Sequence, residues 1–270
     1  KPFNTNPDAY KPTSGSANTA YGIAVSDNDF KYPSVIKSGL ALDKKFENDL
    51  VVTLEGTYTK DINAVYYSNI NLNQNGTQAI DLIMWKDRVR YAGTSGSSNK
   101  IYSGAGGASA SNPNINNAIL MKNTNLGFSY TATGRIQKSV GNLFMSAAYT
   151  YSKSQNAAEG GSTAGGLWSG RPVQGDPNTA NMANASWFQP HRVVGFASYK
   201  FEYAKHYATS IGIYYEAAPV GVTSYVYNGD LNNDGNTGND LIYIPKSSSE
   251  ITLVKTGSGG AGTGTSSDVR

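Results

Sequence analysis

The chain has 270 residues, enough for one large domain or two small ones. Charged residues make up only 15%, while Tyr contributes 19 residues and Gly 30, a profile that disfavours a helical bundle and charge-driven disorder and favours many strands with long polar loops. The net charge of +3 comes without a Lys/Arg run, which argues against a nucleic-acid partner, and the absence of Cys excludes disulfides and thiolate metal sites.

The first predicted strand lies near residues 34–43, with Ile36, Leu40 and Leu42 opposite Lys37 and Asp43. A tight turn at Phe46–Asp49 leads to a second strand over 50–60. There Leu50, Val52, Leu54 and Tyr58 alternate with Thr53, Glu55, Thr57 and Thr59. A long connection, 61–118, follows. The next strand is expected over 119–137, with Phe128, Tyr130, Ala132 and Ile136 opposing Ser129, Thr131, Thr133 and Arg135. A turn at Ser139–Asn142 opens a strand over 142–154, where Leu143, Met145, Ala147, Tyr149 and Tyr151 share one face. After a second long connection, 155–191, come strands over 192–203 and 207–217, joined at Ala204–His206. The remainder, 218–270, reads as loop, with strand-like patches near Ser224–Tyr227 and Asp240–Ile244.

These strands are longer than the usual five or six residues and alternate with a dyad period. Their connections alternate strictly between a few residues and several tens. Both are features of outer-membrane β-barrels, which have short turns on one side and long loops on the other. The fold class expected is therefore all-β: an antiparallel transmembrane β-barrel segment with long extracellular loops. Thr53, Glu55, Thr57, Ser129, Thr131 and Arg135 are expected to face the lumen. Tyr149, Tyr151, Tyr199, Phe201, Tyr203 and Tyr207 are placed for the membrane boundaries, although ordinary cross-strand pairing explains them equally. Six strands are too few to close a membrane barrel, so residues 1–270 are expected to be an internal part of a larger one.

The sharpest motif is Asp230-Leu-Asn232-Asn-Asp234-Gly235-Asn236, ending at Asp240. Oxygen-bearing side chains at positions 1, 3 and 5 and Gly at 6 match the first half of a calcium loop. Position 12 is Leu241, so no bidentate Glu follows. Asp230, Asn232, Asp234, Asn236 and Asp240 are the candidate ligands for Ca²⁺. The alternative is an Asx/Gly-rich turn that needs no ion. Gly257, Gly259 and Gly262 fit a dinucleotide pattern by letter only, without a preceding strand or following helix. The two histidines, His191 and His206, pair with no nucleophile or ligand at a useful spacing, and no catalytic constellation is found, so an enzyme is not expected. Trp85, Trp168 and Trp187 fall in the long loops, as ligand-stacking surfaces or as plugs of the loops' own cores.

Several phrases resemble the β-barrel of TonB-dependent receptors of Bacteroidetes-type bacteria, in particular the Oar-like branch. They are Asp29-Phe-Lys-Tyr-Pro33, Asp87-Arg-Val-Arg-Tyr91, Pro190-His-Arg-Val-Val194, and the run from Ser224 through Asp230 and Gly235 to Pro245. The resemblance implies a 22-stranded barrel closed by an N-terminal plug, located in the outer membrane of a Gram-negative cell. It implies active transport of a ligand, energised by the TonB complex through a region outside this sequence. Partners would be outer-membrane lipid and a peptide, protein or glycan ligand, or a surface lipoprotein, at the outer loops. The rival from another class is a soluble extracellular β-sandwich that binds glycans and holds calcium in the Asp/Asn loop.

Overall fold

Alternation of apolar and polar residues over ten or more positions favours strands that present two chemically different faces. The computed structural model describes residues 6, 20–74, 78–79, 88–91, 99–104, 113–247 and 249, and it is almost entirely β. In chain order the elements are β1 (Tyr21–Ser26), β2 (Ser34–Lys45), β3 (Leu50–Ile62), β4 (Ala64–Asn69), β5 (Gln78–Ala79), β6 (Val89–Arg90), β7 (Ile115–Thr124), β8 (Gly127–Val140), β9 (Leu143–Asn156), α1 (Ala164–Ser169), β10 (Ala183–Asn184), β11 (His191–Tyr203) and β12 (Tyr207–Ala217).

The main sheet has the order β12-β11-β9-β8-β3-β2, all antiparallel, with β10 added at the end of β9. Its register aligns the two faces across every strand. Leu42 pairs with Leu54, Leu54 with Gly134, Gly134 with Tyr149, and Tyr149 with Val193. Lys44, Val52, Ile136, Ala147, Gly195 and Tyr215 form the next row of the same face. The opposite face is polar. Asp43, Thr53 and Arg135 form one of its rows, and Glu55, Thr133, Thr150 and Arg192 another.

Exposure runs opposite to that of a sheet packed on a water-soluble core. Leu40 on the apolar face is 80% exposed, whereas Thr53 on the polar face is 7% exposed. Polar side chains cover one another instead. Thr53 donates to Asp43 at 2.5 Å, the hydroxyls of Thr57 and Thr131 meet at 2.7 Å, and those of Thr133 and Thr150 at 2.9 Å. Such cross-strand pairs fix the register that places every apolar residue on the other side.

The three short turns fall where the sequence predicts them. Residues 46–49 close with the Phe46 amide donating to the Leu50 carbonyl at 2.8 Å. Gly141 and Asn142 alone join the paired residues Val140 and Leu143, with Gly141 at φ 55. Ala204 (φ 52) and Lys205 (φ 61) reverse the chain between Tyr203 and Tyr207. Antiparallel order puts all three turns at one end of the sheet, so the long connections gather at the other.

Those connections are more structured than the sequence suggests. The single strand expected over 119–137 is two elements, β7 and β8, separated at Asn125–Leu126. β7 belongs to a second sheet, β1-β7-β4, in which β1 pairs with β7 in parallel, a departure from the uniformly antiparallel expectation. The cause is chain direction: both β1 and β7 run from the loop end down into the main sheet, one into β2 and the other into β8. β4/β7 continues the β3/β8 ladder in unbroken register, Lys60 facing Phe128 below and Ala64 facing Thr124 above. At this junction Asn123 clamps three segments, accepting from the Lys31 amide at 2.6 Å and donating to the Lys31 and Asn63 carbonyls at 2.8 Å each. The patches at Ser224–Tyr227 and Asp240–Ile244 pair with each other, through Tyr227 to Asp240 at 2.8 Å and Ile242 to Tyr225 at 3.0 Å.

Two backbone substitutions test this geometry. Gly127 has φ +126, and a Cβ there would lie 2.0 Å from Asp61 Oδ2. Gly127→Ala is expected to destabilise the β3/β8 junction by at least about 2 kcal/mol, read as a lower denaturation midpoint. Ala204→Gly removes the Cβ from a left-handed position and is expected to raise stability by about 0.5–1 kcal/mol in the same assay.

Candidate functional site

The long connections fold into one cap at the loop end of the main sheet. Its apolar centre is small: Leu72, Tyr91, Ile119 and Trp168, with Tyr67 and Ala164 packed against it. Buried asparagines supply the rest. The Asn69 amide donates to Asn178 Oδ1 at 2.7 Å, and Asn178 Nδ2 returns a bond to the Asn69 carbonyl at 3.0 Å. Trp168 Nε1 donates to the same Oδ1 at 3.1 Å. Asn71 spans Ile115 and Tyr102, donating to the Ile115 carbonyl at 2.8 Å and accepting from the Tyr102 amide at 2.9 Å. The bonds of Asn69 and Asn71 join segments 31 to 109 positions apart, so the asparagines do the work that an apolar core does elsewhere.

Trp168 is thus a plug of the cap's own core, placed by α1, whose Thr163 N-cap accepts from the Gly166 amide at 3.2 Å. Trp187 is exposed, and Trp85 lies outside the described residues, as do Gly257, Gly259 and Gly262. His191 stacks on Tyr149 and meets its hydroxyl at 2.8 Å through Nδ1, with Tyr151 tilted against the same ring, while His206 sits in the Ala204–His206 turn.

The Asp/Asn loop is buried in this cap. Asn232, Asn239 and Asp240 are 0% exposed and Asp234 2%. Asp230 accepts from the amides of Asp234 at 3.0 Å and Gly235 at 2.8 Å. Asn232 Oδ1 accepts from the Asp234 amide at 3.0 Å, and Asp234 Oδ1 from the Asn236 amide at 2.8 Å. Asp234 Oδ2 receives the side-chain amides of Asn232 at 3.1 Å and Asn239 at 2.6 Å. Burial pushes the carboxyls of both Asp230 and Asp234 above the usual range, despite these donors.

Asp240 stands apart from the other four candidate ligands. Its Oδ1 forms an ion pair with Arg88, both side chains being 0% exposed, and its Oδ2 accepts from the Leu231 amide at 2.8 Å. Arg88 also donates to the Leu241 carbonyl at 2.8 Å. Burial lowers the Arg88 pKa, and the Asp240 charge opposes that shift. Among the described residues, no three His, Asp or Glu side chains gather around one point. The loop is further held by Tyr91. Its amide donates to the Asn232 carbonyl at 2.8 Å, and its hydroxyl to Asp176 at 2.5 Å. Burial, followed by that bond, raises the Tyr91 pKa far above a free phenol's.

Beside the loop lie two cavities of ligand scale, of about 340 and 390 Å³. Arg171 lines both. Glu159, Asn156 and Asn184 line the first, and Val173 and Leu241 the second. Arg171 donates to the Asn181 carbonyl, and no carboxylate pairs with it among the described residues. Burial lowers its pKa. A guanidinium with no paired charge at a cavity wall suits an anionic group. Arg88 and Asn178 do not stand out in the sequence because they act through partners 152 and 109 positions away, and Asn239 and Arg171 carry no motif of their own.

No family model, curated protein or solved structure matches this chain.

Removing one partner of a buried ion pair strands the other charge. Asp240→Asn is expected to cost the cap about 3–5 kcal/mol. Limited proteolysis should then cut within 218–247 at protease levels that spare the unmodified protein. Arg88→Met in the Asp240→Asn background should restore part of the resistance.

Proposed function

We propose that this chain forms part of the wall and outer mouth of a TonB-dependent transporter in the outer membrane of a Gram-negative bacterium. The observation that carries this reading is the polarity of the main sheet. Side chains such as Leu40, Leu42, Leu54, Ile136, Ile211 and Ile213 stand exposed on one face, while hydroxyls and charges bond to one another on the other. Lipid is the solvent in which an exposed apolar face is stable, and a water-filled lumen suits the polar one. A soluble sandwich would need a second layer over the apolar face, and no described element of this chain packs on it.

Dimensions support the same reading. On the apolar face, Tyr149 and Tyr151 lie toward the loop end, and Tyr199, Phe201, Tyr203 and Tyr207 toward the turn end. Tyr151 is level with His191, eight positions from Tyr199, so the two aromatic groups are separated by about 27 Å along the strand. At the usual barrel tilt of about 35–45° this projects to roughly 19–22 Å across the membrane, comparable with an apolar band of about 25 Å that has aromatic rings at each boundary. The cap at the loop end would meet the ligand, with the Arg171 cavities as its place of contact. Uptake would then be driven by TonB, as the sequence resemblance implies.

The native protein should remain in the membrane pellet after sodium carbonate extraction and require detergent for release. Recovery in the soluble fraction would overturn the proposal in favour of the soluble binding module. Leu54→Arg places a charge on the lipid-facing side and is expected to cost about 2–4 kcal/mol in bilayers. Ser129→Arg, on the polar face, should be tolerated with a change of less than about 1 kcal/mol.

A further inference from the structure

We infer that the Asp230–Asp240 loop binds one Ca²⁺ through Asp230, Asn232, Asp234 and Asn239, with Asp240 acting as the loop's structural staple and not as a ligand. The inference is independent of transport. It starts from charge. Asp240 is neutralised by Arg88, but Asp230 and Asp234 have no cationic side chain against them among the described residues. Asp234 is 2% exposed. Buried charges in proteins are paired or coordinate metals, and two carboxylates match a dication.

A second observation points to a ligand. Asn239 is fully buried, and its Oδ1 has no hydrogen-bond partner. The other end of the same amide lies 2.6 Å from Asp234 Oδ2. Turning this amide end for end would bring Oδ1 to face Asp234 and give up no bond at its far end, because Oδ1 makes none there. Two oxygens that both ligate one Ca²⁺, each about 2.4 Å from it, stand roughly 2.6–3.4 Å apart, so the side-chain spacing already suits a shared ion. The amide nitrogens now converging on Asp234 Oδ2 occupy the position that a cation would take. The bonds that Asp230 accepts from the Asp234 and Gly235 amides leave lone pairs on both of its oxygens. With the Asn236 carbonyl, which sits at the position that supplies a backbone oxygen in such loops, and with water, the set reaches the six to eight oxygens that Ca²⁺ takes. Asn239 replaces the missing acidic residue at position 12.

The test uses the purified full-length protein in detergent, stripped with EDTA. Tb³⁺ is titrated in, its emission is sensitised by nearby tyrosines, and Ca²⁺ is then used to displace it. Displacement with an apparent Kd of about 0.1–1 mM, the range of extracellular calcium modules, is expected, with Mg²⁺ competing more weakly. Asp234→Asn should weaken Ca²⁺ binding by at least about tenfold, and Asn239→Asp, which adds a charged oxygen, should tighten it by about tenfold. A gain of this kind cannot come from misfolding. Absence of a Tb³⁺ signal, a signal that about 10 mM Ca²⁺ leaves in place, or an Asn239→Asp variant that binds as the parent does would each overturn the inference. Membrane extraction is read separately, so failure here leaves the transporter reading standing.

Discussion

The structure depends first on strand register. In β3, Thr53 and Leu54 are neighbours in sequence and lie on opposite faces. A slip of one residue against β8 would exchange them and bring Leu54 opposite Thr133 or Arg135, according to its direction. The Thr57–Thr131 hydroxyl pair and the Arg135 guanidinium, which donates to Thr53 Oγ1 at 3.4 Å, oppose that slip from the polar side, as the Thr53–Asp43 bond does between β2 and β3 and the Arg192–Glu216 ion pair at 2.8 Å between β11 and β12. Apolar packing within this single sheet is confined to neighbours on one face, such as Tyr199 and Phe201 with ring centroids 4.6 Å apart, and many of the large apolar side chains stay exposed. Polar pairs set the alignment, and the continuous apolar face follows from it.

Register also decides where the rest of the protein is built. Three tight turns close one end of the sheet. The other end receives three connections that together hold most of the buried side chains. Their apolar centre is only a few residues, so specificity comes from Asn69, Asn71 and Asn178 and from the Arg88–Asp240 pair. Such groups cost desolvation and are tolerated only when nearly every donor and acceptor is matched. A cap made this way has one way to close, because an alternative packing would strand several buried amides at once.

The sequence makes the main sheet legible because alternation is local. Each long strand and tight turn is readable from its own residues to within a few positions. β8 merges with β7 in that reading, since Thr124, Asn125 and Leu126 barely interrupt the alternation and the change of pairing partner leaves no local mark. β1 and β4 are short and carry no turn signal of their own. The cap is illegible for another reason: Asn178 meets Asn69 across 109 positions and Arg88 meets Asp240 across 152. The composition of the Asp/Asn loop is visible, but spacing alone cannot tell that Asp240 is committed to Arg88 and that Asn239 has an oxygen to spare.

How firmly the cap is joined to the main sheet constrains how the two can move against each other. The Ser152 amide donates to the Pro190 carbonyl at 3.0 Å, its hydroxyl to the Gln189 carbonyl at 2.6 Å, and the Ala185 amide to the Ser154 carbonyl at 3.1 Å. β10 extends β9's ladder, and β4/β7 continues that of β3/β8 without a break in register. These ladders tie the cap to the main sheet, so rigid-body opening would have to break backbone pairing. Movement is cheaper inside the cap, between segments joined by side chains alone. The Val173 amide donates to the Asn239 carbonyl at 2.7 Å and the Leu241 amide to the Val173 carbonyl at 3.1 Å, which ties the wall of the Arg171 cavities to the Asp/Asn loop. Val173 lines the second of those cavities, so a displacement of its backbone would be passed to the Asp/Asn loop through these two bonds.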